Sequence, residues 1–279
     1  MDSDGAFRGK TVLITGGSEG VGAAAARRFA AAGARLVLVA RGAAKLEAVA
    51  GRLAGSEVMV CPMDVTDTAA CRRLIEQAEA RFGSLHVLVN NAGYHARGMA
   101  AAVDPAALGR MIDVNLRAPV VLSRLALPLL RKSPGSAIVN VASLAGRTPV
   151  RGAATYSASK FGLRAFTFAL GEELREEGIR VAAVSPGPID TGFIMSDLDS
   201  VADITFSQPM STADEVAEII LQLALGGARE RSMPPVSGLL TTVSYLFPSF
   251  ARLLQPALAR KGRKVKQRLK ARLPGDGTA

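Results

Sequence analysis

Lys10-Thr11-Val12-Leu13-Ile14-Thr15-Gly16-Gly17-Ser18-Glu19-Gly20-Val21-Gly22 decides how the rest of the chain is read. Its first six residues form a short β-rich run, and residues 21–32 read as a helix. Glycines between a strand and a helix let the backbone turn tightly and approach a pyrophosphate. The helix N-terminus attracts such a group with free N–H donors and a partial positive charge. Thr15, Gly16, Ser18, Glu19, Gly20, Val21 and Gly22 are therefore candidate nucleotide-binding residues. The spacing is TGxxxGxG rather than GxGxxG, and such a turn also joins strands to helices where no ligand binds.

Outward from this turn, strand-like and helix-like patterns alternate. Strands are expected at 35–40, 57–61, 85–89, 136–141 and 179–185, and helices at 43–53, 67–82, 105–130 (in one or two pieces), 154–177 and 212–225. Strands that are apolar throughout need cover on both faces, which a parallel sheet with helices on each side provides. The expected fold class is α/β, a doubly wound parallel sheet of Rossmann type, with ligands at the carboxyl edge of the strands. Residues 186–212 lack periodicity and sit at that edge, as a lid or substrate loop does. The expected division is a Rossmann-type body at 1–238 and an apolar, then basic, extension at 239–279.

Bulk properties narrow the class further. A chain of 279 residues with 49% apolar content builds one sizeable core. Cys61 and Cys71 have no CxxC spacing and no histidine cluster beside them, so idle thiols in a reducing compartment are expected, with no metal site and no disulfide framework. Residues 1–9 are polar and hold no signal-like apolar run, and no uncharged apolar stretch is long enough to span a bilayer, so a cytoplasmic location is expected. The net charge of +10 is unevenly placed, because residues 251–279 hold nine Lys/Arg against Asp276 alone.

Further candidates lie along the strand ends. The second strand ends Val39-Ala40-Arg41, without the acid that accepts from a ribose 2′-hydroxyl. Arg41 suits a 2′-phosphate and favours NADP over NAD, unless it is a solvated surface arginine. Asp64, with Val65 beside it, either meets an adenine amino group or caps the helix near residue 67. Asn90-Asn91-Ala92-Gly93 either passes close to the cofactor, with amides pinning neighbouring loops, or is a simple turn.

Tyr156 and Lys160 stand four apart and share a helix face, a pair that also arises by chance. Here they follow a strand that ends Asn140-Val141-Ala142-Ser143. A free phenol has a pKa of about 10, and a neighbouring ammonium lowers it. Tyr156 then exchanges a proton with a substrate oxygen to which Ser143 hydrogen-bonds. His86 is read as structural, and His95, after the fourth strand, either faces the substrate or is a plain loop residue.

The turn at 15–22, Asn90-Asn91-Ala92-Gly93, Asn115, Ser143, Tyr156 with Lys160, and Pro186-Gly187 fall in the order and spacing of the short-chain dehydrogenase/reductase family, over roughly residues 8–225. The resemblance implies hydride exchange between NADP(H) and a carbonyl or secondary alcohol carbon, with proton transfer by Tyr156. It implies that Lys160 holds the nicotinamide ribose, that Ser143 orients the substrate, and that Asn115 holds a water in a proton relay. It also puts the Ile189 backbone and Thr191, in the stretch opened by Pro186 and Gly187, near the nicotinamide carboxamide, and implies a homodimer through the two long helices. Two features depart from the pattern. Glu19 stands where some NADP-preferring members carry a basic residue, and the common Val-Asp-Gly-Gly ending is missing.

Past Leu239 the chain is apolar and then basic. Leu246, Phe247, Phe250, Leu253, Leu254 and Leu258 recur at helical spacing, and Pro248 and Pro256 are expected to break one continuous helix. Leu258, Val265, Leu269 and Leu273 can share an apolar face opposite Lys and Arg. Such a stripe fits either an anionic membrane surface or a helix packed on its own domain. Nucleic acid is not expected, because no recognition motif accompanies the charge. Phe193, Ile194 and Met195 in the loop suggest an apolar substrate or simply anchor the loop, and with them the tail resembles that of short-chain reductases of lipid ketones or retinoids. An NAD-linked alcohol dehydrogenase and a non-catalytic nucleotide-binding scaffold docked on membranes are the alternative readings.

Overall fold

The expected strand–turn–helix alternation is the frame of the molecule. A computed structural model describes residues 5–53 and 55–271. The elements in order are β1 (Thr11–Thr15), α1 (Gly20–Ala31), β2 (Arg35–Ala40), α2 (Ala43–Ala50), β3 (Val58–Pro62), α3 (Thr68–Phe82), β4 (Val87–Asn90), α4 (Pro105–Ile112), α5 (Ala118–Arg131), β5 (Ala137–Val141), α6 (Ala154–Glu173), β6 (Arg180–Pro186), β7 (Ile189–Asp190), α7 (Gly192–Met195), β8 (Ser211–Thr212), α8 (Ala213–Leu225), β9 (Glu230–Met233), α9 (Pro235–Leu246) and α10 (Pro248–Lys270). Seven strands form one parallel sheet in the order β3-β2-β1-β4-β5-β6-β9. The order reverses between β1 and β4, which opens the ligand crevice at their carboxyl ends.

Each face of the sheet has its own core. On one side Phe29 of α1, Leu46 of α2 and Val216, Ile220 and Leu221 of α8 cover Val12, Ile14, Leu36 and Leu38. On the other, Leu74 of α3, Leu122 and Leu130 of α5 and Leu170 of α6 cover Leu13, Val37, Leu88 and Ile138. Local signals set the helix ends. Asp67 accepts from Ala69 and Ala70 at the start of α3, and Thr212 and Glu215 form a capping box on α8.

Two expectations change, and one that was left open is resolved. The seventh strand, β9, was not anticipated; it is a four-residue edge strand of polar composition (Glu230-Arg231-Ser232-Met233), paired only with β6. The long helix at 105–130 is one run with a π turn, Asp113–Arg117, between α4 and α5. Pro119, four residues beyond Asn115, has no N–H to give the Asn115 carbonyl, and the ladder shifts there to the wider turn. Pro248 does start a new helix, but Pro256 breaks nothing and lies inside α10. Pro256 and Arg252, whose carbonyl it leaves without a helical donor, are both exposed, so the missing bond leaves no buried polar group.

The loop at 186–212 is folded back on itself. β7 and β8 pair at its base, Ile189 with Ser211 and Asp190 with Thr212. Its middle lies against α10, where Ile194, Leu198, Val201 and Phe206 pack with Met195, Val265 and Leu269. Part of the stripe read as a membrane face is thus spent on the protein itself, while Leu258 stays exposed. Leu273 and the Phe250 side chain lie outside the described residues.

Candidate active site

The glycine turn is built for close approach. Gly16 and Gly20 take φ of 66° and 54°, in the left-handed region, and a Cβ on Gly22 would lie 2.0 Å from the Gly16 carbonyl oxygen. Glu19, the N-cap of α1, is extended and makes no side-chain cap bond. The donors of the first turn of α1, which includes Val21, are thus not capped by that side chain and suit an anion. The cradle fits a dinucleotide pyrophosphate.

Neighbouring loops close around this turn. The Thr15 hydroxyl donates to Val89 O (3.3 Å) and accepts from the Asn91 and Ala92 N–H groups (3.0 Å each). Asn91 Nδ2 donates to Thr15 O (2.9 Å) and Gly16 O (3.2 Å), so its amide pins one turn to the other. Gly93, next after Ala92, is exposed. Val65 lines a small hollow with Thr15, Ala92 and Val114. Ser18, next to Glu19, is half-buried, and Arg41 is exposed at the end of β2. Glu19 itself is met by Lys45 of α2 at 2.7 Å, so a cation does reach this position.

Asp64 does not cap α3; Asp67 does. The Asp64 carboxylate accepts from Thr66 N (2.9 Å), Thr66 Oγ1 (2.8 Å) and Arg110 Nη2 (2.8 Å). Burial works to raise its pKa, but the Thr66 bonds and Arg110 outweigh that and hold the carboxyl below its ordinary range.

The reactive groups converge from β5 and α6. Ser143, after β5, accepts from Ala145 N (3.1 Å) and donates to Pro186 O at 3.5 Å. Tyr156 and Lys160 project from the first two turns of α6. Lys160 is buried, its Nζ donates to Val141 O (2.8 Å), and desolvation pulls its pKa down to about 8. Burial raises the Tyr156 phenol, while a hydrogen bond with Ser143 and the Arg97 charge pull the other way without winning. Lys160 Nζ lies 5.8 Å from the Tyr156 ring centroid. Asn115 is fully buried, and its side chain is already occupied. Oδ1 accepts from Tyr94 N (2.8 Å), and Nδ2 donates to Tyr94 O (2.8 Å) and Ser159 Oγ (3.2 Å).

The loop brings its residues across the crevice. Thr191 N donates to Ile189 O (2.9 Å), and the Thr191 methyl lies about where a Gly20 side chain would touch it, 3.5 Å away. Gly187 N donates to Met233 O (2.8 Å), tying the Pro186-Gly187 turn to β9. Ile194 and Met195 anchor the loop, whereas Phe193 closes over the site with its ring 6.5 Å from that of Tyr156.

Sequence reasoning missed two participants, Arg97 and Glu230, and left a third, His95, open between substrate and loop. His95 stacks on Tyr156 with ring centroids 4.1 Å apart. Burial, then the charges of Arg97 and Lys160, lower its pKa to about 4, so the imidazole is neutral. Its Nε2 is buried and has no partner among the described residues. Arg97 lies over the Phe193 ring and donates to its carbonyl, latching the loop. Glu230 of β9 accepts from Arg147, from Arg164 (2.9 Å) and from Ser185 (2.6 Å), joining the Ser143 turn to α6. Its carboxyl stays below its ordinary pKa despite burial, because these donors hold the charge. Only the fold brings Glu230 to Arg147 and Arg164; a lone acid in a polar stretch gives no local signal.

A Rossmann crevice with a glycine cradle, and a Ser–Tyr–Lys group beneath a loop, define a nucleotide-dependent oxidoreductase. The family described as short chain dehydrogenase matches over residues 10–201. The ketoacyl reductase HetN of Nostoc sp. is 37% identical over 216 residues, 76% of this chain and 75% of that one. The L-fucose dehydrogenase of Bos taurus is 35% identical over 221 residues, 76% of this chain and 81% of that one. Among solved structures, a metagenomic short-chain oxidoreductase in complex with NADP matches with a TM-score of 0.70 and 32% identity, over 81% of this chain and 97% of that one. A short-chain dehydrogenase/reductase of Serratia marcescens matches with a TM-score of 0.72 and 32% identity, covering 81% and 96%. The chain belongs to the short-chain dehydrogenase/reductase family. Such a member is an oxidoreductase acting on CH–OH and C=O groups.

Proposed function

We propose that this protein is an NADP(H)-dependent carbonyl reductase whose substrate is an apolar, lipid-like ketone or the matching secondary alcohol. The observation that carries the reading is the Tyr156 ring, with Lys160 Nζ 5.8 Å from its centroid and the Phe193 ring 6.5 Å away. The apolar Phe193 ring that the loop sets beside Tyr156 supports an apolar substrate. Arg41, exposed just past β2, supplies positive charge for a 2′-phosphate. When bound, NADP(H) supplies the hydride.

The chain's own groups divide the rest. Ser143 donates to the substrate oxygen, and Tyr156 delivers a proton to it during reduction. A phenol held above its ordinary pKa keeps that proton at neutral pH, which suits the reductive direction. Lys160 holds the nicotinamide ribose. The Asn115 carbonyl, left without a helical donor by Pro119, holds the relay water in place of the committed side chain. Val21, Gly22, Asn91, Ala92, Gly93, Ile189 and Thr191 line the cofactor path. The reading includes a body at 1–238 and an extension at 239–279, a homodimer contact on the two long helices, a cytoplasmic location, and peripheral attachment to an anionic lipid surface.

The test is a panel of long-chain ketones, sugars and alcohols assayed with NADPH and NADH, for the protein and for Tyr156→Phe. Turnover of apolar ketones with NADPH is expected, falling by roughly 1000-fold in Tyr156→Phe while NADPH binding is retained. Equal turnover in the variant would remove Tyr156 from the chemistry.

A further inference from the structure

We propose that α9 and the first turns of α10 form a docking face for an anionic lipid bilayer. The proposal rests on the peripheral attachment in the functional reading and moves it from the sequence stripe at 258–273 to a different surface.

The carrying observation is that α9 is packed inside out. Its inward side is small and polar, with Ser237, Gly238 and Thr241 buried. Its outward side repeats large apolar residues at helical spacing: Val236 (69% exposed), Leu239 (67%), Leu240, Val243 and Leu246, followed by Phe247. The helix cannot rotate to hide them. A Cβ on Gly238 would lie 2.4 Å from the Ser232 side chain, so β9 admits no larger residue on that side. An apolar row of this length left in water marks a contact surface.

Charge names the occupant. Beyond Phe247, Leu253 (76% exposed) and Leu254 carry the apolar exposure into α10. Leu253, Ala257, Arg260, Lys264 and Arg268 then recur at helical spacing on the side opposite Gly262 and Lys266, which face the loop. Among the described residues Arg260, Lys261, Lys264 and Arg268 meet no carboxylate, whereas Arg263, Lys266 and Lys270 do. An apolar row that runs into unpaired cations matches acyl chains beneath anionic headgroups. A second copy of the chain would instead set these cations against one another. No helix among the described residues is long and apolar enough to cross the membrane, so the contact lies in the interface.

Flotation of the full chain with phosphatidylcholine vesicles, with and without 30% phosphatidylglycerol, tests this. Leu239→Asp/Leu246→Asp and Lys261→Ala/Lys264→Ala/Arg268→Ala are run beside it, with NADPH binding as the check on folding. The expected result is binding to the anionic vesicles that falls at least tenfold in the aspartate variant and loses its headgroup preference in the alanine variant. Three results overturn the proposal: no binding of the wild-type chain to anionic vesicles, binding unaffected by the aspartates, or a dimer in light scattering that the aspartates dissociate while vesicles bind nothing. The ketone panel reads out separately, so an inactive protein that floats keeps this inference and loses the functional one.

Discussion

Gly22 and Gly262 sit at opposite ends of the chain and use the same steric allowance. A Cβ on Gly22 would lie 2.0 Å from Gly16 O, and one on Gly262 would lie 1.8 Å from Asp203 O. In the first region the allowance folds a turn tightly enough to leave donors open for a ligand. In the second it lets a helix press against the substrate loop, where Lys266 donates to Val201 O (2.6 Å) and Asp199 O (3.1 Å) and Arg263 pairs with Asp203 at 2.9 Å. A small residue thus serves recognition where its neighbours leave donors open, and fastening where they supply carbonyls and carboxylates. Lys266 is the telling partner. It is a buried cation with three oxygens around it, on a helix that the sequence left open between a membrane surface and its own domain.

Breaking the fastening gives the largest of three further effects. Gly262→Ala is expected to cost about 3 kcal/mol of stability by overpacking against Asp203 and to raise KM for ketone more than it lowers kcat. Gly109→Ala, with nothing within 4 Å of its Cβ, is the matched control on α4. Urea midpoints that coincide for the two variants, with KM unchanged, would show that α10 does not hold the loop.

A smaller effect sharpens the recognition side. Arg41→Asp should shift the kcat/KM preference from NADPH towards NADH by about 30-fold, near 2 kcal/mol, the value of a charge-assisted contact to phosphate. An unchanged ratio would leave Lys45 or another cation as the phosphate partner.

The smallest effect lies where the loop meets the catalytic group. The folded-state pKa of His95, at about 4, is below the ordinary 6.5, so the unfolded chain binds the extra proton first. The stability from a neutral His95 is complete above pH 6.5 and is lost as pH falls towards 4. Denaturation across that window should show a loss of about 1.5 kcal/mol that is absent in His95→Phe, after discounting for partial exposure. Parallel curves for the two proteins would contradict a buried neutral imidazole on Tyr156.

The readable and unreadable parts follow from range. β1 to β6 announced themselves because each is a local apolar run with its own turn, and the glycine cradle because strand, turn and helix are contiguous. Tyr156 and Lys160 were legible as one helical repeat. β9 was not, because four polar residues carry no strand signal until β6 lies beside them. The neutral state of His95 and the raised phenol of Tyr156 come from desolvation under a loop whose Phe193 is almost a hundred positions away from Arg97. The stripe on α10 was periodic and correctly seen, but periodicity does not say what a face touches. Val265 and Leu269 were therefore open between lipid and protein until Phe206 and Leu198 appeared against them.

The grip of α10 on the loop also orders events during synthesis. Asp203 waits for Arg263, 60 residues later, to leave the ribosome. The nucleotide cradle and the Ser143–Tyr156 pair are translated well before that, so a nascent chain can fold around its cofactor while its substrate loop is still unfastened. Translation of α10 then supplies the partners, Arg263 and Lys266, that fasten the loop.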